Sequence, residues 1–212
     1  MSDDKDLELG PDAELGGAEL ELGGLIPEGF DEEDAGPDEA AGPEGNEYDI
    51  VVEEGVASPV SEDEIRADLD RVLAEEGVGR PCMVSVSVVS DERIRELNAE
   101  YRSKDAVTDV ISLECERPDD PDRAPGEPCE LGDIVIAPAF VASRAAGFGT
   151  TAADEFRLLL VHGCLHLLGY DHLADDEAEV MQAREDELVA LLPHDGVRGH
   201  VELTRHREGV DE

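Results

Sequence analysis

Three of the six histidines in this chain fall within the stretch Val161-His162-Gly163-Cys164-Leu165-His166-Leu167-Leu168-Gly169-Tyr170-Asp171-His172. The segment around His162 and His166 is apolar and reads as helix. Positions i and i+4 share a helix face, so these two imidazoles project to one point. Gly169 can take the left-handed conformation that ends a helix, which turns the chain back and brings His172 to the same point. Three neutral imidazoles about an open fourth position is the arrangement of catalytic zinc, which acidifies a bound water toward neutrality. Satisfied core histidines are the alternative, and the spacing H-x3-H-x5-H with glycine at the bend argues against them. Cys164 lies two residues from either helical histidine, on another face, and reads as core.

A zincin protease places glutamate directly after the first histidine as general base. Here that position is Gly163, which has no side chain. A metal site of this kind suits a phosphodiester or another small electrophile better than a peptide bond.

The string H-G-x-L-H-L-x-G-Y-D-H resembles the signature of the YbeY-type endoribonucleases, the bacterial rRNA maturation factors. Two further blocks agree: Leu97-Asn98-x-x-Tyr101-Arg102-x-Lys104-Asp105-x-x-Thr108-Asp109-Val110-Ile111-Ser112, and Leu131-Gly132-Asp133-Ile134. The resemblance covers residues 48–192. It implies an α+β fold, a mixed four-stranded sheet layered by helices, with the H-x3-H-x5-H motif on a metal helix. It also implies a single-strand-specific, metal-dependent endoribonuclease acting in rRNA processing, including maturation of the 16S rRNA 3′ end, and in ribosome quality control. One Zn2+ per chain would rest on His162, His166 and His172. By the same resemblance Arg102, helped by Lys104, would stabilise charge developing on the scissile phosphate. The implied partners are single-stranded rRNA and the ribosome or its small-subunit proteins. An alternative is a ribosome-assembly binding factor whose metal is structural, although such a site is normally closed by a fourth protein ligand.

Composition bounds these expectations. The 212 residues hold 56 acidic and 16 basic side chains, a net charge of −40, and the only lysines are Lys5 and Lys104. Residues 1–47 carry 17 Asp and Glu against one Lys, in repeated Glu-Leu-Gly pieces followed by Gly-Pro pairs. Such a segment buries too little apolar area to offset chain entropy, so it is expected to be a disordered acidic extension. Residues 48–192 are then the catalytic domain and 193–212 a polar tail with His194, His200 and His206. Self-repulsion on this scale opposes compaction and is screened by salt, which suggests a halophilic-like protein of a salt-rich cytoplasm. Cys82, Cys115, Cys129 and Cys164 show no C-x-x-C pairing and read as cytosolic thiols. No run approaches the roughly 20 apolar residues of a membrane helix, and the N-terminus lacks signal-peptide features.

In order, Tyr48–Glu53 reads as a first strand. Ser61 and Glu64 form a capping box for a helix burying Ile65, Leu69, Val72 and Leu73 and ending at Gly77. Cys82–Val89 alternates as a half-buried strand. Ser90 caps a helix carrying Ile94, Leu97 and Tyr101 on one face, the apolar one. Thr108–Leu113 is a strand, and 114–130, with four prolines, a long exposed loop. Leu131–Ala137 is a strand, Pro138 opens a short helix that Gly147 closes, and Thr150 or Thr151 caps the metal helix. Asp175–Leu192 forms a last helix with Met181, Leu188 and Leu192 inward.

Arg93, Arg95, Arg102 and Lys104 concentrate positive charge in a chain otherwise acidic. Arg93 and Arg95 read as ion-paired with Asp91, Glu92, Glu96 and Glu100, whereas Arg102 and Lys104 fall in the resemblance. Asp133 can orient a ligand histidine from behind or satisfy backbone amides at a strand end. Asp109 is a similar case. Asp171 can do the same or shape the turn after Gly169, and Tyr170 is core or flanks the metal pocket. The nucleophile, a metal-activated water or a ribose 2′-hydroxyl, stays open.

Overall fold

The computed structural model describes residues 45–194. The acidic extension, apart from its last three residues, and the tail beyond His194 lie outside the described residues.

The chain runs β1 (Glu47–Val52), α1 (Glu62–Glu75), β2 (Cys82–Val88), α2 (Asp91–Arg102), β3 (Val110–Glu114), β4 (Cys129–Ile136), α3 (Pro138–Phe148), α4 (Ala152–Leu167) and α5 (Asp175–Val189). The four strands form one sheet in the order β1-β2-β4-β3. β1, β2 and β4 are parallel, and β3 joins the edge antiparallel to β4. Connectivity explains the mixture. Parallel neighbours need a crossover, which α1 supplies between β1 and β2, whereas β3 reaches β4 through the proline-rich loop with no helix between them.

Helix starts follow local chemistry. Ser61 and Glu64 make the reciprocal capping box, and Ser90 Oγ accepts the Arg93 N–H at the head of α2. Alternation along β2 sends Cys82, Val84, Val86 and Val88 into the larger core, with Ile65, Leu69 and Leu73 of α1 and Phe156, Leu160, Cys164 and Leu167 of α4. A smaller cluster gathers Val89, Ile94, Ile111, Val135 and Ala137. On β4 the pairing with β2 slips at Met83/Val84, and Gly132 has φ of +129°. A Cβ there would stand 2.0 Å from the Leu113 carbonyl oxygen, so the bulge accepts glycine alone.

Three expectations are corrected. Tyr101 does not face inward: it is 54% exposed, and Asn98 takes the inner position, its Nδ2 donating to the Ala106 carbonyl at 2.8 Å. Ile94 and Asn98 are one turn apart and share the buried face, while Tyr101 falls on the last, outward turn. Gly149, with φ of +73°, ends α3, and Gly147 is an ordinary helical residue within it. Finally α5 stops at Val189, and Leu192 packs into the core from beyond the helix.

Candidate metal centre

α4 is buried along nearly its whole length. Thr151 caps it, its Oγ1 accepting the Asp154 N–H at 3.1 Å. One turn in, the buried Arg157 is held by Asp68 and Glu64 of α1. The helix ends in a double reversal: the Gly169 N–H donates to the His166 carbonyl and the Tyr170 N–H to the Leu165 carbonyl. Those bonds, with Gly169 at φ +97°, are the glycine-terminated cap anticipated from the sequence. Asp171 shapes the next step, its Oδ1 accepting the His172 N–H at 2.7 Å.

This path brings His162, His166 and His172 together, with one ligand atom of each within 4.8 Å of the others. Ring centroids stand 4.6, 4.9 and 5.5 Å apart. Nε2 of His162 and Nε2 of His166 approach to 3.1 Å. The outer nitrogens are engaged elsewhere: Nδ1 of His162 meets Glu185 Oε1 at 3.1 Å, and Nδ1 of His166 meets the Tyr170 carbonyl at 3.0 Å. A carbonyl can only accept, so His166 carries its proton on Nδ1 and keeps the Nε2 lone pair toward the cluster. Burial, followed by the neighbouring His162 and His172, pulls the His166 pKa down to about 4. It is therefore neutral near pH 7, as a metal ligand must be. The donor set fits a cation such as zinc, whose bonds to imidazole nitrogen run about 2.0–2.1 Å. Among the described residues no further His, Cys, Asp or Glu completes the group.

Glu185 was not singled out from the sequence. It comes from α5, is 1% exposed, and burial pushes its carboxyl well above the usual carboxylate range, Asp186 adding to that and His172 opposing it. Its signal was a lone acid on the inward stripe Met181, Glu185, Leu188, at helical spacing. A buried carboxylate on the far nitrogen of a ligand histidine fixes the ring and its tautomer. Tyr170 also gains definition. Its hydroxyl donates to Glu76 Oε2 at 2.9 Å, and Glu76 in turn accepts Arg184 Nε of α5 at 2.5 Å. Tyr170 thus packs at the core edge while its carbonyl positions His166.

Gly163 explains why no general-base glutamate follows His162. A Cβ there would lie 2.9 Å from Ile134 Cγ2 and 3.1 Å from Ser112 Oγ. The helix sits so close to β3 and β4 that a side chain at that position would have to displace Ile134 and crowd Ser112.

Arg102 is the last residue of α2, and Lys104 follows the left-handed cap Ser103; both are exposed. Arg93 pairs with Glu96 as expected, whereas Arg95 is ion-paired with a different partner, forming a bidentate pair with Asp105 beyond the helix. Asp109 accepts the Val110 N–H at the start of β3. Asp133 is exposed on β4, opposite Leu113 of β3.

A helix-layered mixed sheet with three converging imidazoles defines a protein with a site that could hold a cation. The family model described as Endoribonuclease YbeY matches residues 52–192, and the chain belongs to that family. It is 45% identical over 139 residues to Endoribonuclease YbeY of Moorella thermoacetica, spanning 62% of this chain and 88% of that one. To the protein of the same name from Halorhodospira halophila it is 40% identical over 142 residues, 65% and 86% of the two chains. The solution structure of TM1509 from Thermotoga maritima aligns at 28% identity and a TM-score of 0.46, covering 67% of this chain and 86% of that one.

Proposed function

We propose that this protein is a single-strand-specific endoribonuclease acting in rRNA processing, including the 16S rRNA 3′ end, and in ribosome quality control. The observation that carries the reading is the convergence of His162, His166 and His172 in a chain of this family. One Zn2+ per chain is the proposed cofactor. When bound it supplies Lewis acidity and a means of activating water near neutral pH. His162 and His166 hold their rings in place through Glu185 and the Tyr170 carbonyl, and His172 closes the set from the turn. Arg102 is proposed to offer its guanidinium to the non-bridging oxygens of the scissile phosphate, with Lys104 adding a point charge. Asp109 and Asp133 are proposed as outer supports of the site.

The acidity of the chain shapes recognition. Phosphate binding ordinarily draws on broad positive charge, and a net charge of −40 provides none. Local cations, contacts to bases in unpaired RNA, and the ribosome or its small-subunit proteins are proposed to take that part. The proposed setting is a salt-rich cytoplasm; no described helix is long and apolar enough to cross a membrane.

Cleavage of an unpaired RNA by wild type and Arg102→Ala tests this reading. The expected loss is roughly 10²–10³ in rate, the scale of one charge-stabilising donor, with metal content unchanged. Equal rates would remove Arg102 from the reaction. No cleavage by either protein, with metal bound, would favour a ribosome-assembly binding factor. The salt proposal predicts a melting temperature that rises from dilute buffer to molar salt, and a flat profile would refute it.

A further inference from the structure

Arg117 lies just after β3, outside the three motif blocks that carry the family likeness. Glu114 grips one edge of its guanidinium, with Nε to Oε1 at 2.8 Å and Nη2 to Oε2 at 2.7 Å. The remaining nitrogen, Nη1, stands against Gly169, in the turn that joins His166 to His172. A Cβ built on that glycine would lie 1.6 Å from Nη1 and 2.6 Å from Cζ. Among the described residues Nη1 meets no hydrogen-bond acceptor, and the side chain is 44% exposed.

An ordinary surface ion pair contributes little to stability and has no reason to lie on the backbone between two histidines of the cluster. The arrangement here has a consequence that such a pair lacks. A guanidinium clamped by a carboxylate has already lost much of its rotamer freedom, so its third nitrogen is offered to an anion in a fixed direction. Glu114 cancels most of the long-range charge of Arg117. What remains is a short-range, directional donor beside the turn that joins His166 to His172, which suits a phosphate brought there by other contacts.

We propose that Arg117 binds a backbone phosphate of the RNA strand lying across the histidine cluster. The inference rests on the endoribonuclease reading above and adds a second arginine to it, from the opposite end of β3 to Arg102.

The test is binding of a fluorescently labelled 2′-O-methyl oligouridylate, verified to be intact after each titration, to the full metal-loaded chain over a series of salt concentrations. Wild type, Arg117→Ala and Arg117→Lys are compared, with metal content and melting temperature measured on each. Arg117→Ala should bind about tenfold more weakly, with a log–log salt slope shallower by up to about 0.7, the full share of one contact to a single strand. Arg117→Lys should keep the wild-type slope and recover part of the affinity. Metal content and melting temperature should not change. Wild-type affinity and slope in Arg117→Ala would overturn the proposal. So would a fall in metal content with the slope intact, which would make Arg117 a positioning residue for His172. Wild type that neither binds this probe nor cleaves its unmodified counterpart would defeat the endoribonuclease reading itself, and this inference with it.

Discussion

His162 and His166 stand on a buried helix, each with its outer nitrogen hydrogen-bonded, whereas His172 is exposed and reaches the cluster from a turn. The first two are positioned by tertiary structure: a buried acid from α5 for one, and for the other a carbonyl whose own residue is tied to α1. The third is positioned by backbone geometry, through Gly169 and the Asp171 contact. The contrast teaches that a metal centre can be rigid on one side and adjustable on the other. The supported side is buried and hydrogen-bonded, and the His172 side opens to solvent.

That division can be broken most severely at the ligands. His166→Ala should lower zinc affinity more than about a hundredfold, beyond the tenfold-to-hundredfold scale of outer partners. His172→Ala should lose less, because two braced imidazoles remain. Competition against a chelator measures both, and equal losses would erase the distinction between the two sides. Next in size is Glu185→Gln, which keeps the shape and weakens the acceptor on His162 Nδ1. Zinc affinity should fall roughly tenfold to a hundredfold. No change would mean that the helix alone orients His162. The smallest effect is expected at Gly163→Ala. Its methyl meets the buried Ile134, whose β-branching restricts how far it can yield. Overpacking costs about 1–3 kcal/mol, and better helix propensity returns up to about 1 kcal/mol. A net loss of roughly 1–2 kcal/mol in denaturant unfolding is expected, and a gain would show that the sheet moves aside.

Much of this was legible in the sequence wherever the cause is local. Ser61, Ser90 and Thr151 cap helices because each side-chain oxygen reaches an amide two or three residues away. The turn from His166 to His172 was readable for the same reason: Gly169 and Asp171 act on their own neighbours. Long-range facts were not readable. Glu185 lies 23 residues from His162, and only the packing of α5 on α4 makes it a partner. Tyr101 looked like core because it follows Leu97 by four residues, yet the helix ends there and the ring leaves the sheet. The strand order and the place of Gly163 against Ile134 also depend on how the layers close, which no single segment specifies.

The bond from Glu185 to His162 also gives the chain an order of assembly. Synthesis delivers all three imidazoles before it delivers α5, so the nascent chain carries the cluster for a time with one ring unsupported. The Glu185 support of His162 therefore arrives only with the last helix, and a chain cut short before that helix would lack it.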